Sequence, residues 1–146
     1  MNKTKIIVDA CCRIKDAHLK NRLSKGKSAC GVLIIDYKGE ECHFKKYLGE
    51  MTVPEAEFRA LVFALDKAVA VARYNVEVRM DSQLVVRWMN GEYRIKKDHI
   101  KPLFDEAKKY EQRFKDGVTY IHHSRDSVLG KRADKLAHDA YAEYQD

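Results

Sequence analysis

The chain has 146 residues, of which 45% are hydrophobic and 34% are charged, and this composition is typical of one soluble domain with a single core. No apolar run approaches the roughly 20 residues that a membrane span requires, which excludes a membrane-spanning protein. The first residues lead into a strand-like pattern rather than the apolar core of a signal peptide, so we expect a single cytoplasmic domain over residues 1–146.

The net charge of +6 and the pI near 9.1 favour a polyanionic partner. Most of the excess lies between residues 13 and 27, where six basic residues accompany a single acid, Asp16. We interpret residues 10–28, approximately, as a basic insertion that binds the phosphates of a nucleic acid, with a solvated loop as the alternative. The candidate substrate-binding residues of this segment are Arg13, Lys15, Lys20, Arg22, Lys25 and Lys27.

The four cysteines are predicted to be free thiols. Cys11 and Cys12 are neighbours and cannot readily bridge each other, and the C-x-x-C spacing of a zinc site does not occur. Free thiols agree with a cytoplasmic compartment, where disulfides are rare.

Three strands are predicted in the first third of the chain. Residues 3–9 form a short apolar strand and residues 28–36 a second one, and a turn joins the second strand to a third over residues 41–48. We expect the second and third strands to form an antiparallel hairpin. The buried side of the third strand is predicted to consist of Cys42, Phe44 and Tyr47.

A helix is predicted to begin at Pro54, since proline is favoured in the first turn of a helix. Apolar residues then recur at helical spacing, at Phe58, Leu61, Leu65, Ala68, Val69 and Ala72. Glu57 is placed in the first turn, where the helix dipole stabilises a carboxylate by ~0.3–1 kcal/mol. That interaction is a purely structural explanation for this glutamate.

The second half of the chain alternates strands and helices. Residues 76–80 alternate as a strand, a short amphipathic helix then ends at Asn90-Gly91, and a further helix ends at Asp116-Gly117. A fifth strand covers residues 118–121, and a final helix carries the apolar residues Ala133, Leu136, Ala137, Ala140 and Tyr141. The predicted order of elements is therefore βββαβα(α)βα.

Four carboxylates lie where predicted elements begin or end. Asp9 closes the first strand and Asp81 the fourth, and the carboxyl ends of neighbouring parallel strands open onto one crevice. Strands lie about 4.8 Å apart, so these two aspartates would converge. Together with Glu57 and Asp134 they predict a catalytic metal cluster. The structural alternative for Asp81 is that it caps the helix that follows.

Five short motifs, in order along the chain, resemble the type 1 ribonuclease H family. The motifs are Val-Asp at 8–9, Ala-Glu-Phe-Arg-Ala-Leu at 56–61, Asp-Ser-Gln-Leu-Val-Val at 81–86, Met-Asn-Gly-Glu-Tyr at 89–93 and Ala-Asp-Lys-Leu-Ala at 133–137. They span nearly the whole chain. Any one of them is a weak signal, whereas five in the same order are specific.

The resemblance implies an α/β fold with a mixed five-stranded sheet flanked by helices, in which the first three strands are antiparallel and strands 1, 4 and 5 are parallel. It also implies an endoribonuclease that cuts the RNA strand of RNA–DNA hybrids with two Mg²⁺ ions or Mn²⁺ in their place. Separately, a monomer is favoured. Two ions ~3.5–4 Å apart can activate water on one side of a phosphate and stabilise the leaving oxygen on the other. The family's metal ligands map onto Asp9, Glu57, Asp81 and Asp134.

The sequence departs from the family pattern at three places. Ala10-Cys11-Cys12 replaces a glycine-rich loop, Val53-Pro54 replaces a pair of asparagines, and Gly130 replaces a further asparagine. The family's catalytic histidine in the loop before the last aspartate corresponds to His123 or to its neighbour His122. We therefore expect the fold to be kept and the grip on the substrate to differ.

The connection after the fourth-strand helix is basic, but it lacks the longer basic handle of some family members. Its candidate contacts to the phosphates of the DNA strand are Tyr93, Arg94, Lys96 and Lys97, with a solvated connection as the alternative. Ser82, next to Asp81, is a further candidate substrate contact.

Two other functions remain as alternatives. The first is a nuclease of the same fold whose altered loops favour another structured nucleic acid. The second is a non-catalytic nucleic-acid-binding module, which the four acids disfavour because carboxylates in a groove repel phosphates.

Overall fold

The computed structural model describes residues 3–15, 24–96 and 99–145, and its elements follow the predicted order. Within these residues the strands are β1 (Thr4–Arg13), β2 (Lys25–Ile35), β3 (Glu41–Thr52), β4 (Val76–Met80) and β5 (Val118–His122). The helices are α1 (Val53–Ala68), α2 (Gln83–Met89), α3 (Lys101–Glu111) and α4 (Val128–Gln145). In the described part of the chain, none of these helices has the length and apolar character needed to cross a membrane.

The strands form one mixed sheet in the order β3-β2-β1-β4-β5. β2 pairs antiparallel with both β1 and β3, whereas β4 pairs in parallel with both β1 and β5. The predicted topology, with three antiparallel strands followed by parallel additions, is confirmed. Parallel strands need crossover connections, and α1 and the α2–α3 pair provide them.

Helices cover both faces of the sheet. Alternate residues of a strand point to opposite faces and therefore pack against different helices. Ile6 of β1 packs in the main core with α1, whereas Ile7 packs against Ala133 of α4. Odd-numbered residues of β1 therefore face α4, and Asp9 and Arg13 belong to this set. This parity places the first predicted metal ligand beneath α4.

The predicted first strand, over residues 3–9, is too short. β1 continues to Arg13 because it stays paired with β2, up to the pair of Arg13 and Lys27, after its pairing with β4 has ended at Val8. The predicted insertion at about residues 10–28 is thus partly a β-hairpin, in which β1 and β2 extend beyond the rest of the sheet.

β3 is an edge strand and also exceeds its predicted length, since it continues past residue 48 to Thr52. Cys42, which was predicted on the buried side, is exposed, because an edge strand has a neighbouring strand on one side only. Phe44 and Tyr47 are half-buried. All four cysteines of the chain are free thiols, as predicted.

α1 begins where the sequence predicts, with a capping box between Thr52 and Glu55. The Thr52 hydroxyl accepts a hydrogen bond from the Glu55 backbone N–H at 3.3 Å, and the Glu55 carboxylate accepts one from the Thr52 N–H at 2.8 Å. The helix ends at Ala68. Val69 and Ala72, which were predicted to be helical, follow this end, although both still pack against the core.

Candidate active site

Asp9 and Asp81 occupy equivalent positions on two neighbouring parallel strands. The pairing of β1 with β4 ends at Val8 and Met80, and the two aspartates are the residues that follow this last pair. Asp81 follows the end of β4 as predicted, whereas Asp9 lies within β1. The two aspartates still converge. Their convergence requires only that the parallel pairing of β1 with β4 ends before them, and β1 can continue beside β2 without affecting it.

Glu57 and Asp134 reach the same region on helices, each in a second helical turn rather than at the helix start that the sequence predicts. α4 approaches the sheet closely, since Gly31, the β2 partner of Asp9, lies against the α4 backbone at Ala133. A residue without a side chain at this position allows α4 to bring Asp134 over Asp9.

The four predicted carboxylates line one cleft of about 420 Å³. Asp9 is buried, whereas the side chains of Asp81 and Asp134 are 16% and 45% exposed, so the acids extend from the floor of the cleft to its rim. The other lining residues are Ala10, Cys11, Cys12, Val53, Ala56, Arg125 and His138. A concave site in which acids converge is a candidate active site.

Burial raises the pKa of Asp9 to about 9, and its neighbours add to this effect. A hydrogen bond with Asp134 and the negative charges of Asp81 and Asp134 all favour the protonated form of Asp9. Asp9 therefore keeps a proton at neutral pH when no cation is present. The acids of this cleft need positive charge before they can all ionise.

Burial also raises the pKa of Glu57, to about 7, and outweighs a hydrogen bond with Ser82 that lowers it. The charge of Asp81 raises this pKa further, and the charge of Arg125 lowers it. The helix dipole does not explain Glu57, because the acid in the first turn of α1 is Glu55.

Ser82, predicted as a substrate contact, is a buried residue at the start of α2. Its hydroxyl accepts a hydrogen bond from the Val85 backbone N–H at 3.3 Å and caps α2, and its side chain also bonds to Glu57. A contact between Ser82 and the substrate stays a prediction. Since Ser82 is the N-cap of α2, the alternative that Asp81 caps this helix is excluded.

Arg125 lies at the mouth of the cleft and was missed from the sequence. Its Nε donates a hydrogen bond to Asp81 Oδ2 at 3.2 Å, and this bond raises the pKa of the guanidinium. The arginine side chain is 83% exposed, so the pair contributes little to stability. An arginine in the loop before the last helix was the available signal in the sequence. An exposed guanidinium beside these acids can contact a phosphate.

His123 lies near the cleft but is not among the residues that line it. Its backbone N–H donates to the Met80 carbonyl oxygen at 2.9 Å, which holds the loop after β5 against the end of β4. The ring is half-buried, and burial lowers its pKa. His122 is exposed. A catalytic role for His123 stays a prediction.

Asp134 has a neighbour that sequence reasoning missed. His138, one helical turn later on α4, places Nε2 3.2 Å from Asp134 Oδ1. Arg13 Nη2 lies 2.9 Å from the other ring nitrogen, Nδ1, and the same guanidinium stacks over the Tyr141 ring at 4.2 Å. The spacing of four residues between Asp134 and His138 on a predicted helix was the available signal.

The four carboxylates fit a hard divalent cation such as Mg²⁺ or Mn²⁺, which prefers oxygen ligands. In the described residues, no three Asp, Glu, His or Cys side chains are already arranged as a metal-binding group. Asp81 bonds to Arg125, and Asp9 shares hydrogen bonds with Asp134 and Asp81, so these carboxyl groups are engaged with one another and with the arginine. A cation would therefore replace these contacts as it binds.

The sequence matches the family model described as reverse transcriptase-like over residues 16–140, which is most of the chain. LC11-RNase H1 in complex with an RNA/DNA hybrid has a fold similar to this chain, with a TM-score of 0.83 and 29% sequence identity over 99% of this chain and 100% of that one. The chain belongs to the ribonuclease H family. The family predicted from the five motifs is thus confirmed.

Two further comparisons define how far the likeness extends. RNase H1 from the halophilic archaeon Halobacterium salinarum NRC-1 shares the fold, with a TM-score of 0.82 at 24% identity over 97% of this chain and 98% of that one. The bifunctional protein Rv2228c of Mycobacterium tuberculosis is 28% identical over 123 residues, which are 82% of this chain and 33% of that protein. This ribonuclease H domain spans about a third of the length of the curated relatives it matches.

The ribonuclease H domain has a pocket of about 620 Å³ at the end of the β1–β2 hairpin, here called the basic pocket. Four of the six predicted phosphate-binding residues line it, namely Arg13, Lys15, Lys25 and Lys27, together with Ile14, Gly26, Glu50 and Tyr141. Lys20 and Arg22 lie outside the described residues. Because Arg13 also contacts His138, the basic pocket adjoins the acidic cleft.

A second basic group lies in the connection after α2 of the ribonuclease H domain. Tyr93, Arg94 and Lys96 are exposed, and Arg87 Nη1 donates a hydrogen bond to the Tyr93 hydroxyl at 2.6 Å. Lys97 lies outside the described residues. Exposed side chains of this kind are accessible to a phosphate backbone, and their contact with a DNA strand stays a prediction.

Proposed function

We propose that this ribonuclease H domain is a metal-dependent endoribonuclease that cleaves the RNA strand of RNA–DNA hybrids. The observation that carries the proposal is the convergence of four carboxylates, from β1, α1, β4 and α4, on one cleft in which the pKa of Asp9 is raised to about 9. Carboxylates alone repel a phosphodiester, but they can hold cations that attract it. The similar LC11-RNase H1 has a structure with an RNA/DNA hybrid, which supports the choice of substrate.

Asp9, Glu57, Asp81 and Asp134 would hold two Mg²⁺ ions, with Mn²⁺ as a substitute. Bound in such a site, these ions supply Lewis-acid activation of water and stabilisation of the leaving oxygen in phosphodiester hydrolysis. The chain contributes the oxygen ligands and places them at different depths, with Asp9 at the floor of the cleft and Asp134 at its rim. This arrangement leaves the mouth of the cleft open to a phosphate.

Arg125 has two partners in this proposal. Its Nε bonds to Asp81 Oδ2 at 3.2 Å when no substrate is present. Once Asp81 acts as a metal ligand, the exposed guanidinium becomes available at the mouth of the cleft, where its fork of N–H donors suits a phosphate. The same side chain thus neutralises Asp81 before substrate binds and orients the phosphate afterwards.

The basic pocket and the connection after α2 would supply most of the affinity for the hybrid. Exposed cations such as Lys25, Lys27 and Arg94 neutralise phosphates and release counterions, which favours binding without regard to sequence. Affinity would therefore fall as salt rises, whereas the choice of the strand to be cut depends on the cleft.

The wall of the cleft offers few polar side chains for recognition of the RNA strand. Ala10, Cys12, Val53 and Ala56 all line it. A protein distinguishes RNA from DNA through the 2′-hydroxyl group, so here that recognition depends mainly on backbone N–H and C=O groups. We expect weak discrimination at each nucleotide, and efficient cleavage only where several ribonucleotides follow one another.

The test incubates the purified chain with labelled RNA–DNA hybrid, double-stranded RNA or double-stranded DNA, in Mg²⁺, Mn²⁺ or chelator. The expected result is cleavage of the RNA strand of the hybrid, only with a divalent ion. Duplexes with one, four or more consecutive ribonucleotides measure the discrimination. Asp9→Asn, purified in parallel, controls for contaminating nucleases.

A second candidate function is a nuclease of the same fold for another structured nucleic acid, and the apolar wall of the cleft is the observation that favours it. Faster cleavage of all-DNA duplex or of double-stranded RNA than of hybrid would support it. Binding of hybrid without cleavage under every condition would instead support a non-catalytic binding module.

A further inference from the structure

His138 connects Asp134 to the β1–β2 hairpin. Its Nε2 lies 3.2 Å from Asp134 Oδ1, and its Nδ1 lies 2.9 Å from Arg13 Nη2. A guanidinium nitrogen can only donate, so Nδ1 must accept the hydrogen bond from Arg13. In the neutral ring the single proton is then on Nε2. Arg13 thus selects the tautomer that carries its proton on Nε2, the ring nitrogen 3.2 Å from Asp134 Oδ1.

Arg13 is itself held in place from α4. Its guanidinium lies 4.2 Å from the centre of the Tyr141 ring, within the range of a cation–π contact. Tyr141 and His138 lie three residues apart on α4 and so share one side of the helix. The chain of contacts therefore joins β1, which carries Asp9, to the helix that carries Asp134.

Asp134 needs a partner outside the acid cluster. It shares a hydrogen bond with Asp9, and Asp9 also interacts with Asp81. The Asp134 side chain is 45% exposed, so packing alone does not hold it in the cleft. When a cation displaces the proton of Asp9, which leaves to water, the neighbouring carboxylates repel one another. A donor to one oxygen of Asp134 leaves its other oxygen for a ligand role.

We propose that His138 is a positioning residue whose Nε2, 3.2 Å from Asp134 Oδ1, keeps this carboxylate directed into the cleft, with Arg13 maintaining the tautomer. The proposal rests on the proposed function, because it takes Asp134 as a metal ligand. Hydrogen-bond partners of ligating groups fix their orientation, and loss of such a partner typically costs about 10–100-fold in metal affinity or activity.

The same helix carries a pair of equal spacing that serves as a control. Lys135 Nζ lies 3.0 Å from Asp139 Oδ2, and neither residue lines the cleft. Exposed pairs four residues apart contribute little to helix stability. Lys135→Leu therefore removes an ordinary helical pair from α4, whereas a change at His138 removes the contact with Asp134.

The test compares His138→Gln, His138→Leu and Lys135→Leu in the full chain. The glutamine amide nitrogen takes roughly the place of Nε2 and still donates, whereas leucine fills similar space without a donor. We measure kcat and KM on RNA–DNA hybrid, and the Mn²⁺ dissociation constant by electron paramagnetic resonance without nucleic acid. We expect His138→Leu to raise the dissociation constant and lower kcat by about tenfold each, at unchanged KM, and His138→Gln to stay within about threefold of wild type. Lys135→Leu should match wild type.

Nitrogen-15 NMR of the His138 ring in metal-free protein provides a readout that does not depend on cleavage. We expect a proton on Nε2 and none on Nδ1 in the wild type, and a mixture of tautomers in Arg13→Gln. A wild type that shows this tautomer but does not cleave hybrid would overturn the proposed function alone. The positioning role would be overturned by wild-type kcat and Mn²⁺ affinity in His138→Leu, by equal impairment in His138→Gln and His138→Leu, or by mixed tautomers in the wild type.

Discussion

Gly31 of β2 lies directly against α4, where a Cβ atom on the glycine would come within 2.6 Å of the Ala137 backbone nitrogen. Gly31 is also the β2 partner of Asp9, and Ala137 lies one helical turn after Asp134. This contact therefore sets the separation of the strand and the helix that carry two of the four acids. The neighbouring atoms belong largely to the backbone, so a larger residue would have to move the helix itself.

Gly31→Ala should therefore destabilise the domain by about 1–3 kcal/mol, the usual cost of overpacking. It should also lower kcat, because a shift of α4 moves Asp134 away from Asp9. Urea titration measures the free energy of unfolding, and cleavage of hybrid is measured where the variant is fully folded. Gly31→Val should show larger effects of both kinds. Wild-type stability and kcat in Gly31→Ala would contradict this account of the helix position.

Asp81→Asn should abolish metal-dependent cleavage and leave the fold intact, because it removes a ligand charge at nearly constant volume. Circular dichroism and thermal unfolding check the fold, and single-turnover rates check the chemistry. The matched control is Asp139→Asn, which removes a carboxylate of α4 outside the cleft and should cleave as wild type. If Asp81→Asn stays within about tenfold of the wild-type rate, a loss of only ~1.4 kcal/mol, Asp81 is not a metal ligand.

The raised pKa of Asp9 predicts how the stability of the metal-free protein depends on pH. The folded state binds this proton up to a pKa of about 9, whereas the ordinary pKa of an aspartate is 3.8, so the folded state carries more protons than the unfolded state between these limits. The free energy of unfolding should therefore fall as pH rises through this range. Asp9→Asn lacks this contribution and should be more stable than wild type at pH values around 8, with a difference that shrinks toward acid pH.

Urea titrations in chelator at several pH values measure this difference. Adding Mg²⁺ provides an internal control, because the ion favours the ionised acids and should restore stability at high pH in the wild type but much less in Asp9→Asn. Equal stability of the two proteins at high pH without metal would show that Asp9 does not retain its proton.

The basic pocket predicts a salt effect on binding. Replacing Lys25 and Lys27 together by glutamine should weaken binding of hybrid and reduce the slope of log affinity against log salt by up to about 0.9 for each lost phosphate contact. Turnover at saturation should change little, since neither lysine lines the acidic cleft. Lys38 and Lys115, exposed residues that do not line the basic pocket, provide a control of equal charge change. An unchanged slope would show that the lysines of the β1–β2 hairpin are exposed to solvent without a role in binding.

The order of elements was readable from the sequence because it depends on local patterns. The alternation of residues 76–80 and the helical spacing after Pro54 each reflect which side chains face the core, and both predictions agree with β4 and α1. Errors arose where pairing between strands decides the outcome. β1 extends to Arg13 only because β2 continues beside it. The local sequence pattern of one strand does not indicate how long the neighbouring strand is.

The identity of the four acids was likewise determined by the sequence alone, since their motifs and their places beside predicted elements are local features. Only the tertiary structure decided which residues surround them. Arg13 and His138 are 125 positions apart, and they meet because α4 packs across the β1–β2 hairpin over the space that Gly31 leaves open. Such contacts depend on the exact position of α4 relative to the sheet. The hydrophobic periodicity and the charge pattern of the sequence do not specify that position.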